Sequence, residues 1–210
     1  MTRTLRLATT TIAALLLLSA CSSWPFGSDT PPVSGGHPRQ PADEFFSNLQ
    51  ALCGKAFAGR IVIDEPPTPG APFTGKALIM HVRQCERDRI AIPFHVGDDH
   101  SRTLLLTRTK SGLTLDHDRR HRDGSQDVLS MYGGATVDRG SATRQVFPVD
   151  AHSMALFERN ERSDSVTNVW TLEIEPGRIA AYERSRPGRR FRIEFDLTRP
   201  VPAPPAPWGW

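Results

Sequence analysis

Residues 190–197 (RFRIEFDL) alternate strictly: Phe191, Ile193, Phe195 and Leu197 point one way, Arg192, Glu194 and Asp196 the other. A period of two marks a half-buried β-strand, because successive side chains leave opposite faces of the pleat. Residues 167–175 (TNVWTLEIE) repeat it, with Trp170, Leu172 and Ile174 on one face. Similar short runs fall at 56–64, 76–85, 89–97, 102–109, 113–121, 127–134, 142–147 and 178–185. Turn signals such as Lys110-Ser111-Gly112 and the charged Glu86–Asp88 separate several of them, so the pairing is expected to be mostly antiparallel.

Helical spacing appears twice. In residues 42–54 (ADEFFSNLQALCG), Phe45 or Phe46, Leu49 and Leu52 share a face, acids occupy the first turn, and Gly54 suits a left-handed stop. Residues 150–159 (DAHSMALFER) predict a short inserted helix with Asp150 as its N-cap. Nine or ten strands with one apolar and one wet face predict an all-β fold wrapped around a single core. A single barrel or strongly curved sheet is the natural solution because closure removes exposed edges; a β-sandwich is the alternative.

The N-terminus reads as a targeting segment. Arg3 and Arg6 precede the apolar run LATTTIAALLLLSA, which is short for a permanent span of about 20 apolar residues. The run ends in Leu18-Ser19-Ala20-Cys21, which resembles a bacterial lipobox. The resemblance implies cleavage before Cys21, a thioether-linked diacylglycerol on its sulfur, acylation of the new amine, and the lipid bilayer as partner. Ser22 follows, rather than Asp, and similarity to Gram-negative lipoproteins then implies sorting to the outer membrane, facing the periplasm. The expected organisation is a leader at 1–20, a Pro/Gly/Ser-rich tether at 21–41, a β domain at 42–199 and a Pro-rich tail at 200–210.

With the leader removed, about 190 residues remain, enough for one sizeable core. The formal charge of +3 loses Arg3 and Arg6 and falls to about +1. Acids and bases are interspersed, the pattern of a solvated surface, and no nucleic-acid partner is expected. With Cys21 lipidated, Cys53 and Cys85 remain, and an even pair in an oxidising compartment predicts a disulfide.

A helix leading into residues 52–59 (LCGKAFAG) and a strand series is similar to the calycin plan of lipocalin-type barrels, although the tryptophan of their Gly-x-Trp motif is missing. Residues 45–200 also resemble a family of secreted bacterial proteins with no established activity, through MHVRQC, IPFHVG, SRTLLLT, HDRRHRDG, MYGG, TNVWTLE and FRIEFDL.

The densest chemistry lies in residues 113–124 (LTLDHDRRHRDG). On a helix, His117 and His121 would share a face and hold zinc easily. The alternation begun by Leu113 and Leu115 predicts a strand instead, which separates the two imidazoles by roughly 13 Å, too far for one metal. The same period places His117, Arg119 and His121 on the face of the leucines, and Asp116, Asp118 and Arg120 on the other. Either the inner wall turns cationic toward one barrel mouth, making a rim for a small polar or anionic ligand, or these residues leave the core for solvent near the following turn.

Elsewhere, Asp99, His100 and Ser101 invite a hydrolase reading, but sequence neighbours rarely meet as a triad. Asp98, Asp99, Asp123 and Asp127 lack an EF-hand spacing and are better turn caps. Gly133 and Gly134 point to tight backbone geometry rather than ligand approach. No catalytic residue, metal site or cofactor is expected.

The expected protein is an envelope lipoprotein with a binding or structural barrel. The alternatives are an envelope enzyme using His/Asp acid–base chemistry, and a module that docks a protein partner through the C-terminal prolines with Trp208 and Trp210.

Overall fold

The computed structural model describes residues 40–68 and 70–210. The leader, Cys21 and almost all of the tether lie outside the described residues.

Eleven strands form a single antiparallel sheet: β1 (Ala56–Glu65), β2 (Leu78–His81), β3 (Gln84–Cys85), β4 (Arg89–Val96), β5 (Asp99–Thr109), β6 (Gly112–Arg119), β7 (Tyr132–Ala135), β8 (Arg144–Pro148), β9 (Val169–Glu175), β10 (Ile179–Arg186) and β11 (Arg189–Val201). The order is β7-β6-β5-β4-β2-β1-β11-β10-β9-β8, with β3 also on β4. Apart from β1 against β11, each strand therefore pairs with a near neighbour in sequence, and the sheet curls into a nearly closed up-and-down barrel. The sandwich alternative falls.

Closure occurs where β7 meets the end of β8. A bridge joins Gly134 to Val149, and the Asp150 amide donates to the Gly133 carbonyl at 3.1 Å. A Cβ on Gly133 would stand 1.7 Å from the Leu115 carbonyl oxygen, and one on Gly134 would stand 1.8 Å from that of Pro148. Only glycine lets the backbones approach this closely, which is the geometric role expected of the pair.

Helix α1 (Pro41–Gln50) plugs one end, with Phe45, Phe46 and Leu49 buried in the core and the Arg108 guanidinium 4.3 Å above the Phe46 ring. It is shorter than its periodic pattern. The turn that follows runs through Gly54, at φ 81°, into β1. Helix α2 (Ala151–Arg159) is capped as expected, the Ser153 amide donating to Asp150 Oδ1 at 2.7 Å. It also supports the seam, since Ser153 Oγ accepts from the Gly133 amide at 2.7 Å.

Two strands differ from their sequence patterns. Residues 76–85 break at Val82, whose amide donates to Lys55 and whose carbonyl accepts from Gly54, tying the chain to the end of α1 instead of to a strand. The Cys53–Cys85 disulfide forms beside this junction. Residues 127–131 are a turn rather than a strand, because Asp127 caps the Leu129 amide at 2.9 Å and Ser130 Oγ accepts from the Arg119 amide at 2.7 Å.

The C-terminal tail lies on the outer wall. The Trp208 amide donates to the His100 carbonyl at 3.1 Å, and Trp210 Nε1 donates to Asp118 Oδ2 at 3.2 Å. Outside β9–β11, Arg190 and Arg192 pair with Glu173, Glu183 and Glu194, the wet face that the alternation requires.

Candidate functional site

On four strands the inward face changes from apolar to arginine at the same end of the barrel. Leu113 and Leu115 are followed on β6 by His117 and Arg119; Leu104 and Leu106 are preceded on β5 by Arg102. Ala180 and Tyr182 lead on β10 to Arg184 and Arg186, and Phe191 on β11 is preceded by Arg189. Register explains the convergence: Arg102 pairs with Arg119, and Arg186 with Arg189, so four antiparallel strands deliver cations to one mouth. Arg162, in the segment after α2, completes the set.

These six arginines line a cavity of about 370 Å³ at the mouth opposite α1, and no carboxylate among the described residues lines it. The acids that neutralise them stand behind. Arg102 pairs with Asp99 at 2.6 Å, Arg186 and Arg162 share Asp164 at 2.7 and 3.7 Å, and Arg189 pairs with Asp64. Arg119 reaches Asp127 only at 3.8 Å, and its buried Nε has no hydrogen-bond partner among the described residues. Arg184 makes no ion pair among the described residues, so six guanidiniums face four carboxylates.

The remaining wall is aromatic. Phe73, on the loop between β1 and β2, stacks on Phe94 at 5.9 Å and 15° and tilts against Phe191 at 5.1 Å. The Arg102 guanidinium lies 5.2 Å above the Phe73 ring. Beneath the mouth, His117 and Tyr182 form a floor. His117 Nδ1 lies 3.0 Å from the Tyr132 carbonyl and Nε2 lies 3.0 Å from the Tyr182 hydroxyl. A carbonyl only accepts, so the ring proton sits on Nδ1, and Nε2 takes the proton donated by Tyr182. Burial pushes the His117 pKa down to about 3, and burial likewise raises that of Tyr182; both side chains are neutral at ambient pH. Below the floor, toward Phe45, Met80 and Leu172, the open volume shrinks to about 30 Å³, and the barrel is filled by side chains.

Of the three residues expected at the mouth, His117 and Arg119 line it, while His121 is exposed and absent from the cavity. The period of two stops applying at Arg119. The His121 amide donates to Ser125 and its carbonyl accepts from Gly124, so a tight turn swings that side chain into solvent. Sequence reasoning missed Arg102, Arg184, Arg186 and Arg189, although each continues the apolar face of its own strand. That signal was present, but choosing the strands that share a mouth required the register.

The other candidates are kept apart. Ser101 Oγ has no hydrogen-bond partner among the described residues, and Asp99 is engaged by the Arg102 side chain and the Ser101 amide, so Asp99, His100 and Ser101 form no relay. Asp123 caps Ser125, as Asp127 caps Leu129. His95 and His100 pack edge to face at 4.5 Å on the outer wall, where Trp208 of the tail lies against His100 at 6.3 Å, and burial followed by the charge of His100 lowers the His95 pKa to about 4. Among the described residues, no three metal-ligating side chains gather in one place.

No family model matches the chain, and no curated protein or solved structure matches it. Fold and site together define its class: a nearly closed up-and-down β-barrel, filled at one end and opening at the other into a cationic, aromatic-walled mouth.

Proposed function

We propose that this protein is a ligand-binding barrel of the bacterial cell envelope, held on the membrane by a lipid on Cys21, which takes a small anionic ligand into its arginine mouth. One observation carries the reading: six arginines converge on a cavity that no carboxylate among the described residues lines, with four acids behind them. Gathered guanidiniums without counter-charge repel one another, and desolvating them costs more as they withdraw from water. An anion supplies the missing charge, and the guanidinium fork suits carboxylate or phosphate bidentately. A cavity of about 370 Å³ also lies in the range of small-molecule sites.

The neutral His117, hydrogen-bonded on both nitrogens, is a poor general base at ambient pH, which favours binding over acid–base catalysis. The membrane tether rests on the lipobox resemblance alone; among the described residues no helix is long and apolar enough to cross a membrane.

Titration calorimetry on the full-length protein in a non-ionic detergent tests the binding. Small carboxylates and phosphates are expected to bind and their neutral amides not to. Arg184→Gln is expected to weaken the anions about tenfold, the loss of one charge-assisted contact. Equal affinity for neutral analogues, or no anion bound at all, overturns the reading. For the tether, Cys21→Ser is expected to abolish incorporation of a labelled fatty acid and to release the protein from the membrane fraction; labelling that persists refutes it.

A further inference from the structure

The arginine mouth has a side chamber. A second cavity of about 110 Å³ shares Arg119, Arg184, Tyr132 and Tyr182 with the main one and continues toward Trp170 and Asn168. Asn168 is 2% exposed, and its Oδ1 has no hydrogen-bond partner among the described residues. Arg119, whose Nε also has no hydrogen-bond partner among the described residues, lines the same chamber. Buried polar atoms are nearly always paired, so two orphans on one small chamber mark a place for polar ligand atoms.

From this arrangement we infer that the ligand is a compact aromatic acid carrying a hydroxyl on the carbon next to its carboxyl group. The inference rests on the anion-binding reading above and narrows it.

Three features select this class. The carboxylate belongs at the junction of the two chambers, where, among the described residues, Arg119 Nε has no hydrogen-bond partner and Arg184 no ion pair. A flat ring belongs in the main chamber, where Phe73, Phe94 and Phe191 offer an aromatic wall. The third group belongs in the side chamber against Asn168. Phe73, Phe94 and Phe191 line only the main chamber and Asn168 only the side chamber, while Arg119 and Arg184 border both, so a hydroxyl on the carbon bearing the carboxylate enters the side chamber while the ring stays in the main one. A hydroxyl both donates and accepts, and therefore satisfies Asn168 whichever way its amide is turned.

Size disfavours the competing amphiphile. Below the His117–Tyr182 floor the open volume falls to about 30 Å³, against about 370 Å³ in the mouth, which favours a compact ligand over a long acyl chain.

The test uses 3-phenyllactate as probe, with full-length protein in detergent and calorimetric readout. Phenyllactate is expected to bind at least tenfold tighter than lactate, which lacks the ring. It is also expected to bind about tenfold tighter than 3-phenylpropionate, which lacks the hydroxyl, and to exceed decanoate and inorganic phosphate. Asn168→Leu is expected to erase the gap between phenyllactate and phenylpropionate while leaving phenylpropionate affinity unchanged. Phe73→Leu, on a loop and outside the barrel wall, is expected to shrink the gap between phenyllactate and lactate, and it keeps the test open if the Asn168 variant does not fold.

Equal binding of phenyllactate and phenylpropionate overturns the hydroxyl assignment. Lactate or phosphate binding as tightly as phenyllactate overturns the aromatic one, and decanoate doing so overturns the compact one. Each of these leaves the anion reading standing. Failure of every anion overturns both.

Discussion

Tyr182 on β10 donates its phenolic proton to His117 Nε2 on β6, 3.0 Å away across the barrel interior. This bond, with the Nδ1–H donated to the Tyr132 carbonyl, leaves the imidazole both neutral and fully partnered. It separates two regimes of the lumen: an apolar interior plugged by α1 below, and the arginines above.

Acid should destabilise the fold. His117 is held down to about 3 and His95 to about 4, against an ordinary 6.5. Between pH 6.5 and those values the unfolded chain takes up protons that the folded chain does not. Stability is therefore fully present above pH 6.5 and falls on acidification, by up to about 1.4 kcal/mol per pH unit for each such histidine. Thermal melts from pH 7.5 to 4.5 should show the decline, and His117→Gln should flatten it. An unchanged slope in that variant would remove His117 from the account.

Barrel closure should fail with any side chain at the seam. A methyl group at Gly134 would overlap the Pro148 carbonyl, and one at Gly133 would overlap that of Leu115. Gly134→Ala is expected to cost more than about 3 kcal/mol, among the larger single-site losses, in a chemical denaturation curve. Gly177→Ala is the control: nothing lies within 4 Å of its Cβ position, so only its φ of 72° resists substitution, at about 1 kcal/mol.

Reducing the disulfide should loosen the α1 end rather than the mouth. Cys53 and Cys85 are 32 residues apart in sequence, and in the chain-entropy model closing such a loop contributes about 3–4 kcal/mol. The Cys53→Ser/Cys85→Ser double variant is expected to melt lower by that equivalent yet to bind anions as before. Loss of binding together with stability would show the two ends to be coupled.

The tail is expected to act as part of the wall. Ending the chain after Val201 removes the Trp210 bond to Asp118, the Trp208 amide bond to the His100 carbonyl on β5 and the packing of the Trp208 ring on His100. A melting temperature several degrees lower is expected, since about 1 kcal/mol shifts a domain of this size by about 2–4 °C. An unchanged melt would mean that the tail contributes nothing to the fold and is free to serve a partner.

How much was legible in the chain follows from the range of each signal. Alternation is local, and it identified the strands, the inward face of β11, and the placing of His117 and Arg119 beyond Leu113 and Leu115. It failed at His121 because a backbone turn ends the pleat, and at 127–131 because Asp127 and Ser130 bond the backbone in place of a neighbouring strand. Capping is equally local, and Asp150 was readable as the start of α2.

The rest of the mouth was not legible, for a physical reason. Arg102, Arg184, Arg186 and Arg189 each look like an ordinary polar residue at the end of an apolar run, and strand ends commonly carry such residues. Their meaning comes from register accumulated across strands as far apart in the sheet as β5 and β11, and from where the sheet closes. Closure rests in turn on two glycines whose lack of a Cβ lets β7 touch β6 and the end of β8. Short-range pattern was thus enough to specify strands, faces and a core. Bringing six cations around one cavity is a long-range outcome, visible only once the barrel has closed.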